Sequence, residues 1–229
     1  MVGEKLTGNR YTHILQCKQC DRADMNDEVA RIPEFMEQMA GTIAKTAGML
    51  DRDQMTAFFK EMLVARRVYV AGAGRSGFIA KAFGLRLMHL GLDVYVVGET
   101  ITPAFRPGDT MVVFSGSGET HSMVSICGTA KDLGGTVCLI TASPDSKMSS
   151  MADCVVNLGD LTGYYRKDKH SFEIRQLTGK YRSVTSAFAP LGTLFETLAL
   201  IFSDAVISAL IESKKAEIPD MQGRLTNVE

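Results

Sequence analysis

Two glycine-rich segments combine hydroxyl side chains with a spacing that suits the binding of a small anion. The first loop is residues 72–77, GAGRSG, and the second loop is residues 115–120, SGSGET. Glycine lets backbone amides approach an anion, hydroxyl groups add neutral donors, and a helix that starts at such a loop contributes the positive end of its dipole. The second loop therefore predicts a phosphomonoester site, with an ordinary tight turn as the alternative.

The first loop also satisfies the G-x-G-x-x-G pattern of dinucleotide-binding domains. Glu99 follows about twenty residues later, where such proteins place the carboxylate that binds the ribose. Arg75 and Ser76 argue against this interpretation, because a guanidinium and a hydroxyl in the turn suit direct contact with a terminal phosphate or a sugar oxygen. A pyrophosphate site depends more on bare backbone. Together with the second loop, this counts against a dinucleotide site and favours the binding of a phosphomonoester.

Glu196 is of chemical interest because it is a carboxylate in an otherwise apolar segment. It lies in the strongly apolar stretch 191–211, which follows Pro190 and is expected to form a helix buried in the core or against another subunit. A carboxylate on such a helix caps a backbone group, pairs with a cation or acts as a base. Burial would raise its pKa towards that of a useful base. The alternative is a surface glutamate on the one solvent-exposed face of the helix.

The elements that must position these residues are short apolar strands alternating with helices. Strands are expected at 68–71, 94–97, 111–114, 137–140 and 154–156, and helices at 28–50, 53–65 and 78–90. Most of the strands are β-branched and continuously apolar, as in strands covered on both faces. The sequence thus predicts an α/β fold: a three-layer α/β/α sandwich with a five-stranded parallel sheet, and a ligand at the carboxyl ends of the strands.

Composition limits the remaining possibilities. Residues 1–26 are polar and are expected to form an N-terminal extension, followed by a single domain at 27–229 with an inserted connection at about 161–186. The net charge of −1 disfavours nucleic acid as a partner. No uninterrupted apolar run reaches the ~18 residues of a membrane span, so we expect a cytoplasmic protein. Cys17 and Cys20 have metal spacing but lack a second pair, so no metal is predicted.

The two loops and the segments around them resemble a known family. The chain looks like a sugar isomerase (SIS) domain, flavodoxin-like in topology, and within it like the 6-phospho-3-hexuloisomerases. The resemblance rests on GAGRSG, RLMHLGLDVYVVGETITP, FSGSGET and PLGTLFETLALIFSDAV. It implies conversion of D-arabino-hex-3-ulose 6-phosphate to fructose 6-phosphate through an enediolate without a cofactor, and a homotetramer. By position it implies that Glu196 is the catalytic base and that the substrate contacts Ser76, Ser115, Gly116, Ser117, Gly118, Glu119 and Thr120.

The chain departs from the family near its C-terminus, where the family has Arg-His-Ala-Asn-Leu-Glu. Here the segment reads GRLTNVE, and Leu225 replaces the histidine. His89, His121 and His170 are open candidates for its role. Two other functions also remain open: a different aldose-ketose isomerase, acting on arabinose 5-phosphate or a heptose phosphate, and a non-catalytic sugar-phosphate sensor. Arg75 or backbone amides are candidates for oxyanion stabilisation, and Glu99 and Glu119 for moving hydroxyl protons.

Overall fold

The computed structural model describes residues 22–159, 193–215 and 218–225 of the chain, with side chains described from residue 29 onwards. Three predictions lie outside these residues: most of the N-terminal extension with Cys17 and Cys20, the connection at 161–186 with His170, and the helix start at Pro190.

Five parallel strands form one sheet. They are β1 (Val68–Gly72), β2 (Val94–Val96), β3 (Thr110–Phe114), β4 (Thr136–Thr141) and β5 (Cys154–Asn157), in the spatial order β2-β1-β3-β4-β5. All five predicted strands are confirmed, since continuous β-branched runs of this length form strands that are buried on both faces. The order is that of the flavodoxin-like doubly wound fold.

Seven helices accompany the strands in the described part of the chain. They are α1 (Arg22–Ala47), α2 (Arg52–Val64), α3 (Arg75–His89), α4 (His121–Asp132), α5 (Lys147–Met151), α6 (Thr193–Lys214) and α7 (Ile218–Gln222). The first residues of α1 lie inside the segment that was expected to be an extension. They are polar and show no apolar periodicity, so the sequence did not indicate that they are helical. The Asp51 carboxylate caps α2 by accepting bonds from the Asp53 and Gln54 amides, each 2.9 Å long.

Alternate strand residues face two separate apolar cores. On β3, Val112 and Phe114 belong to the core that α2, α3 and α6 cover. Met111 and Val113 belong to the opposite core, which α4 and α5 cover. The sheet is therefore the middle layer of a three-layer α/β/α sandwich, as predicted.

α6 is a core helix of this domain. It is long and apolar enough to cross a membrane by length and composition, but half of its most apolar window is buried inside the fold. Phe195, Ala199 and Leu210 on its inner face are almost fully buried against the sheet and α3. Packing of this inner face against the core of the domain accounts for its apolar side chains.

The order of the strands places the two glycine-rich loops side by side. The chain runs from β1 to β2 on one side and returns to β3 on the other side of β1. Gly72 at the end of β1 pairs with Phe114 at the end of β3. Because neighbouring strands lie about 4.8 Å apart, the first and second loops leave the sheet together, at the position where doubly wound folds bind ligands.

Candidate functional site

The first loop turns directly from β1 into α3. A Cβ atom on Gly72 would lie 2.7 Å from the carbonyl carbon and oxygen of Ser76, so only glycine permits the approach. Gly74 is the N-cap of α3 with a φ of 60°, a conformation that glycine adopts readily. The helix begins at Arg75, earlier than the predicted start at 78. Arg75 and Ser76 therefore lie in the first helical turn rather than in a loop, and Ser76 is buried there.

The second loop leads from β3 into α4. Ser115 is buried, and its Oγ accepts the Gly118 amide at 3.2 Å. Ser117 is half-buried, and its Oγ accepts the Glu119 amide at 3.4 Å. Thr120 is the N-cap of α4, and its hydroxyl makes no capping bond to the first turn of that helix.

The second loop packs closely against β4 and the chain after it, and this packing requires glycine at position 118. The carbonyl oxygen of Gly116 accepts the Ala142 amide at 3.2 Å and Thr141 Oγ1 at 3.3 Å. Gly118 has a φ of 61°, and a Cβ atom there would lie 1.9 Å from Ser146 Oγ. No larger residue fits at position 118 without displacing Ser146.

Glu119 is directed away from the rest of the second loop. Its Oε1 accepts the Lys147 amide at 2.9 Å, and its Oε2 lies 3.4 Å from Lys147 Nζ. Sequence reasoning considered Glu119 as a substrate ligand or as a dipole partner of α4. In the structure its carboxylate contacts the start of α5. The segment at 143–147 was missed as a neighbour of the site, although serine, proline and aspartate directly after β4 were a usable signal.

Glu196 and Arg75 bring the first turns of α6 and α3 together. Arg75 Nε lies 3.9 Å from Glu196 Oε2. Among the side-chain atoms that the structure describes, Glu196 Oε2 is buried without a hydrogen-bond partner. Burial is the main cause that raises the pKa of Glu196 from 4.5 to about 7, and the nearby Arg75 charge opposes that rise. A carboxylate with this pKa exchanges a proton readily near neutral pH.

The remaining candidates lie elsewhere. His89 is in the last turn of α3, about 20 Å from Arg75 at 1.5 Å per helical residue. Arg224 Nη1 donates to the His89 carbonyl at 3.3 Å, so the adjoining Leu225 is also at that far end. The replacement of the family histidine by Leu225 therefore lies far from Glu196 within one subunit.

His121 and Glu99 have different surroundings. His121 is exposed as the first residue of α4, directly after the second loop, so it is the described histidine nearest to that loop in the chain. Glu99 Oε1 accepts a hydrogen bond from Lys81 Nζ at 2.5 Å. The dinucleotide pattern assigns this carboxylate to a ribose, whereas here it is paired with Lys81. Within residues 22–159, 193–215 and 218–225, no group of three or more histidine, cysteine, aspartate or glutamate side chains could hold a metal ion.

The fold defines a class: a doubly wound α/β protein whose two glycine-rich loops meet at the switch point of the sheet, with the Glu196 carboxylate 3.9 Å from Arg75. The SIS domain matches residues 61–159. A 3-hexulose-6-phosphate isomerase of Bacillus subtilis (strain 168) is 33% identical over 196 residues, covering 86% of this chain and 98% of the relative. A second, from Mycobacterium gastri, is 34% identical over 187 residues, covering 82% and 86%.

A solved structure agrees with these relatives. It is that of a Methanococcus jannaschii protein, for which a molecular function of 3-hexulose-6-phosphate isomerase has been inferred. It superposes with a TM-score of 0.68 at 27% identity, covering 86% of this chain and 99% of the other. The chain belongs to the SIS domain family.

Proposed function

We propose that the protein is an isomerase that converts D-arabino-hex-3-ulose 6-phosphate to fructose 6-phosphate through an enediolate. The observation that carries the proposal is the largely buried Glu196 carboxylate beside Arg75, with a pKa of about 7. The choice of substrate rests on the relatives named for this reaction, each more than 30% identical over most of the chain. No hydride carrier is required, because the oxidation of one carbon and the reduction of its neighbour occur within one molecule.

Glu196 acts as the base in this reaction. Ionised Glu196 removes the proton from C2, the electron pair forms the C2=C3 double bond, and negative charge develops on O3. The O2 hydroxyl proton is transferred to O3 as the C2 carbonyl forms, and protonated Glu196 returns its proton to C3. One carboxylate serves both carbons because they are adjacent, provided that the substrate is held in one position.

Arg75 has two effects in this scheme. Its guanidinium opposes the rise in the pKa of Glu196, so that the carboxylate is ionised in a useful fraction of molecules at neutral pH. It also lies within 4 Å of the base, where it can stabilise negative charge on O2 or O3. Both effects require the Arg75 guanidinium to lie close to the Glu196 carboxylate.

The phosphate is assigned to the second loop. Ser115, Ser117 and Thr120 provide hydroxyl groups, Gly116 and Gly118 allow a close backbone approach, and α4 contributes its positive end. Ser76 lies in the first turn of α3, next to Arg75 in the chain. We assign it to a sugar oxygen. Anchoring the phosphate at one end fixes the reacting carbons at the other.

Exposed apolar side chains support assembly into a homo-oligomer. Val29, Ile32 and Met36 of α1 are each more than half exposed on one face of that helix. The stripe continues into a cavity of about 500 Å³ between α1, α2 and α6, lined in part by Ile43, Phe59 and Ile201. Apolar surface of this kind usually marks an interface. We propose a homotetramer in the cytoplasm that serves the ribulose monophosphate pathway. Ile32→Glu should reduce its mass in light scattering, and an unchanged mass would exclude α1 from the interface.

A coupled assay tests the reaction. Wild-type protein is supplied with the 3-ketohexulose 6-phosphate, and fructose 6-phosphate is followed through auxiliary enzymes. Glu196→Gln should lose at least about a hundredfold in kcat, as expected for removal of a general base, while still binding fructose 6-phosphate. Glu212→Gln alters an exposed glutamate on the same helix and should leave kcat unchanged. Folded wild-type protein that binds the sugar phosphate without turnover would contradict the proposal.

A further inference from the structure

Glu119 lies in the second loop, but its carboxylate already contacts another residue. Both of its oxygens are directed at Lys147, one at the amide and the other at the ammonium group, at 2.9 and 3.4 Å. The Lys147 side chain is 73% exposed, so its ion pair with Glu119 is screened by solvent. The bond to the Lys147 amide is the structurally defined one, because that amide is fixed by α5.

Further bonds hold the same loop to the chain after β4. The Gly118 carbonyl accepts the Met148 amide at 3.1 Å, and the Gly116 carbonyl accepts the Ala142 amide at 3.2 Å. The Glu119 carboxylate adds a third connection one residue along. The outer half of the second loop is thus attached to the first turn of α5 through consecutive residues, Gly118 and Glu119, that bind the consecutive amides Met148 and Lys147.

These bonds determine which way the loop amides point. In a trans peptide the carbonyl of one residue and the amide of the next point in opposite directions. Because the Gly116 and Gly118 carbonyls point towards β4 and α5, the amides of Ser117 and Glu119 point away from them. The Glu119 amide donates to Ser117 Oγ at 3.4 Å. A phosphate bound by the Ser117 amide would lie on the opposite side of the loop from α5. The attachment to α5 selects this orientation among those that the glycines allow.

We propose that Glu119 is a positioning residue, which binds the Lys147 amide and thereby holds the second loop in the conformation that binds phosphate. It does not contact the substrate. This inference rests on the proposed role of the second loop as the phosphate site. A positioning residue and a bystander predict opposite effects on phosphate affinity. An uninvolved carboxylate near a phosphate site repels the anion, so its removal would leave phosphate binding unchanged or tighten it.

The test measures the dissociation constant of inorganic phosphate by calorimetry, together with KM and kcat. Glu119→Ala should weaken phosphate binding and raise KM by about tenfold, the range for a hydrogen bond to a charged group, with kcat within about twofold of wild type. Glu119→Gln keeps an oxygen for the Lys147 amide and should restore binding to within about threefold. Lys147→Ala keeps the amide, loses only the exposed ammonium, and should match wild type.

Three results would overturn the inference. Glu119→Ala with unchanged or tighter phosphate binding would make Glu119 a bystander. A fall in kcat at constant KM would place it at the reacting atoms. Equal losses in Glu119→Ala and Lys147→Ala would assign the effect to the ion pair. Phosphate binding is measured without turnover, so absence of isomerase activity in wild type would refute the proposed reaction while the effect of Glu119 on binding could still be determined.

Discussion

Replacing Glu196 by glutamine should stabilise the folded protein at alkaline pH while abolishing its activity. The Glu196 side chain is only 13% exposed, and one oxygen is buried without a hydrogen bond. Folding therefore removes an ionised carboxylate from water with incomplete compensation, and the pKa rises from 4.5 to about 7. A glutamine of the same shape carries no charge and avoids this cost.

The magnitude follows from the two pKa values. Between pH 4.5 and about 7 the folded state keeps a proton that the unfolded chain has released, so stability falls as the pH rises. Below this window both states are protonated, and above it the full cost is present. A tenfold change in proton affinity corresponds to about 1.4 kcal/mol, so the cost reaches about 3 kcal/mol. Glu196→Gln should exceed wild type by about this amount at pH 8 and by less than about 1 kcal/mol at pH 5.

Urea unfolding at both pH values measures this difference. Wild type, Glu196→Gln and the exposed control Glu212→Gln are compared at one protein concentration, because assembly would add a concentration-dependent term. The control should follow wild type at both pH values. An advantage of Glu196→Gln that is the same at pH 5 and pH 8 would refute the argument, since a pH-independent effect cannot come from the titration of Glu196.

Other predictions concern the neighbours of the base and the glycines. Arg75→Gln removes the charge that opposes the rise in the pKa of Glu196, so the acid limb of the kcat/KM profile should move to higher pH. An unchanged acid limb would show that the Arg75 charge does not influence the pKa of Glu196. Gly118→Ala places a Cβ atom on Ser146 Oγ at a positive φ and should destabilise the protein by more than about 1 kcal/mol in urea unfolding. Gly128→Ala on α4 has no atom within 4 Å of the new Cβ and should instead stabilise by about 0.5–1 kcal/mol; equal effects of the two changes would refute this account of the second loop.

The sequence predicts the fold well because its signals are local. Each strand is a short, mainly apolar run that contains β-branched residues, and the two glycine-rich loops follow β1 and β3 directly. The start of α3 was placed too late, because Gly74 caps the helix through its backbone conformation and offers no side-chain cap to identify. As a result, Arg75 was expected in a turn, although it lies on a helix.

The candidate site is less predictable because it depends on contacts between distant parts of the chain. Glu196 was expected to be the base from the family resemblance, with its apolar helix as independent support. Its partner Arg75 is in the first turn of another helix, and no local pattern specifies that pair. The contact between Glu119 and Lys147 also depends on the packing of two loops at adjacent strand ends. The position of Leu225 at the far end of α3 likewise follows from tertiary structure alone.

Proton NMR of fructose 6-phosphate in D₂O tests the central claim most directly. The proposed enediolate forms between C2 and C3, so in the reverse direction Glu196 removes the C3 proton. We expect the H3 signal to diminish and signals of a second ketose to appear, both absent with Glu196→Gln. Loss of the H1 signals at constant H3 would indicate an aldose-ketose isomerase, and an unchanged spectrum with folded, phosphate-binding protein would contradict enediolate chemistry on this substrate.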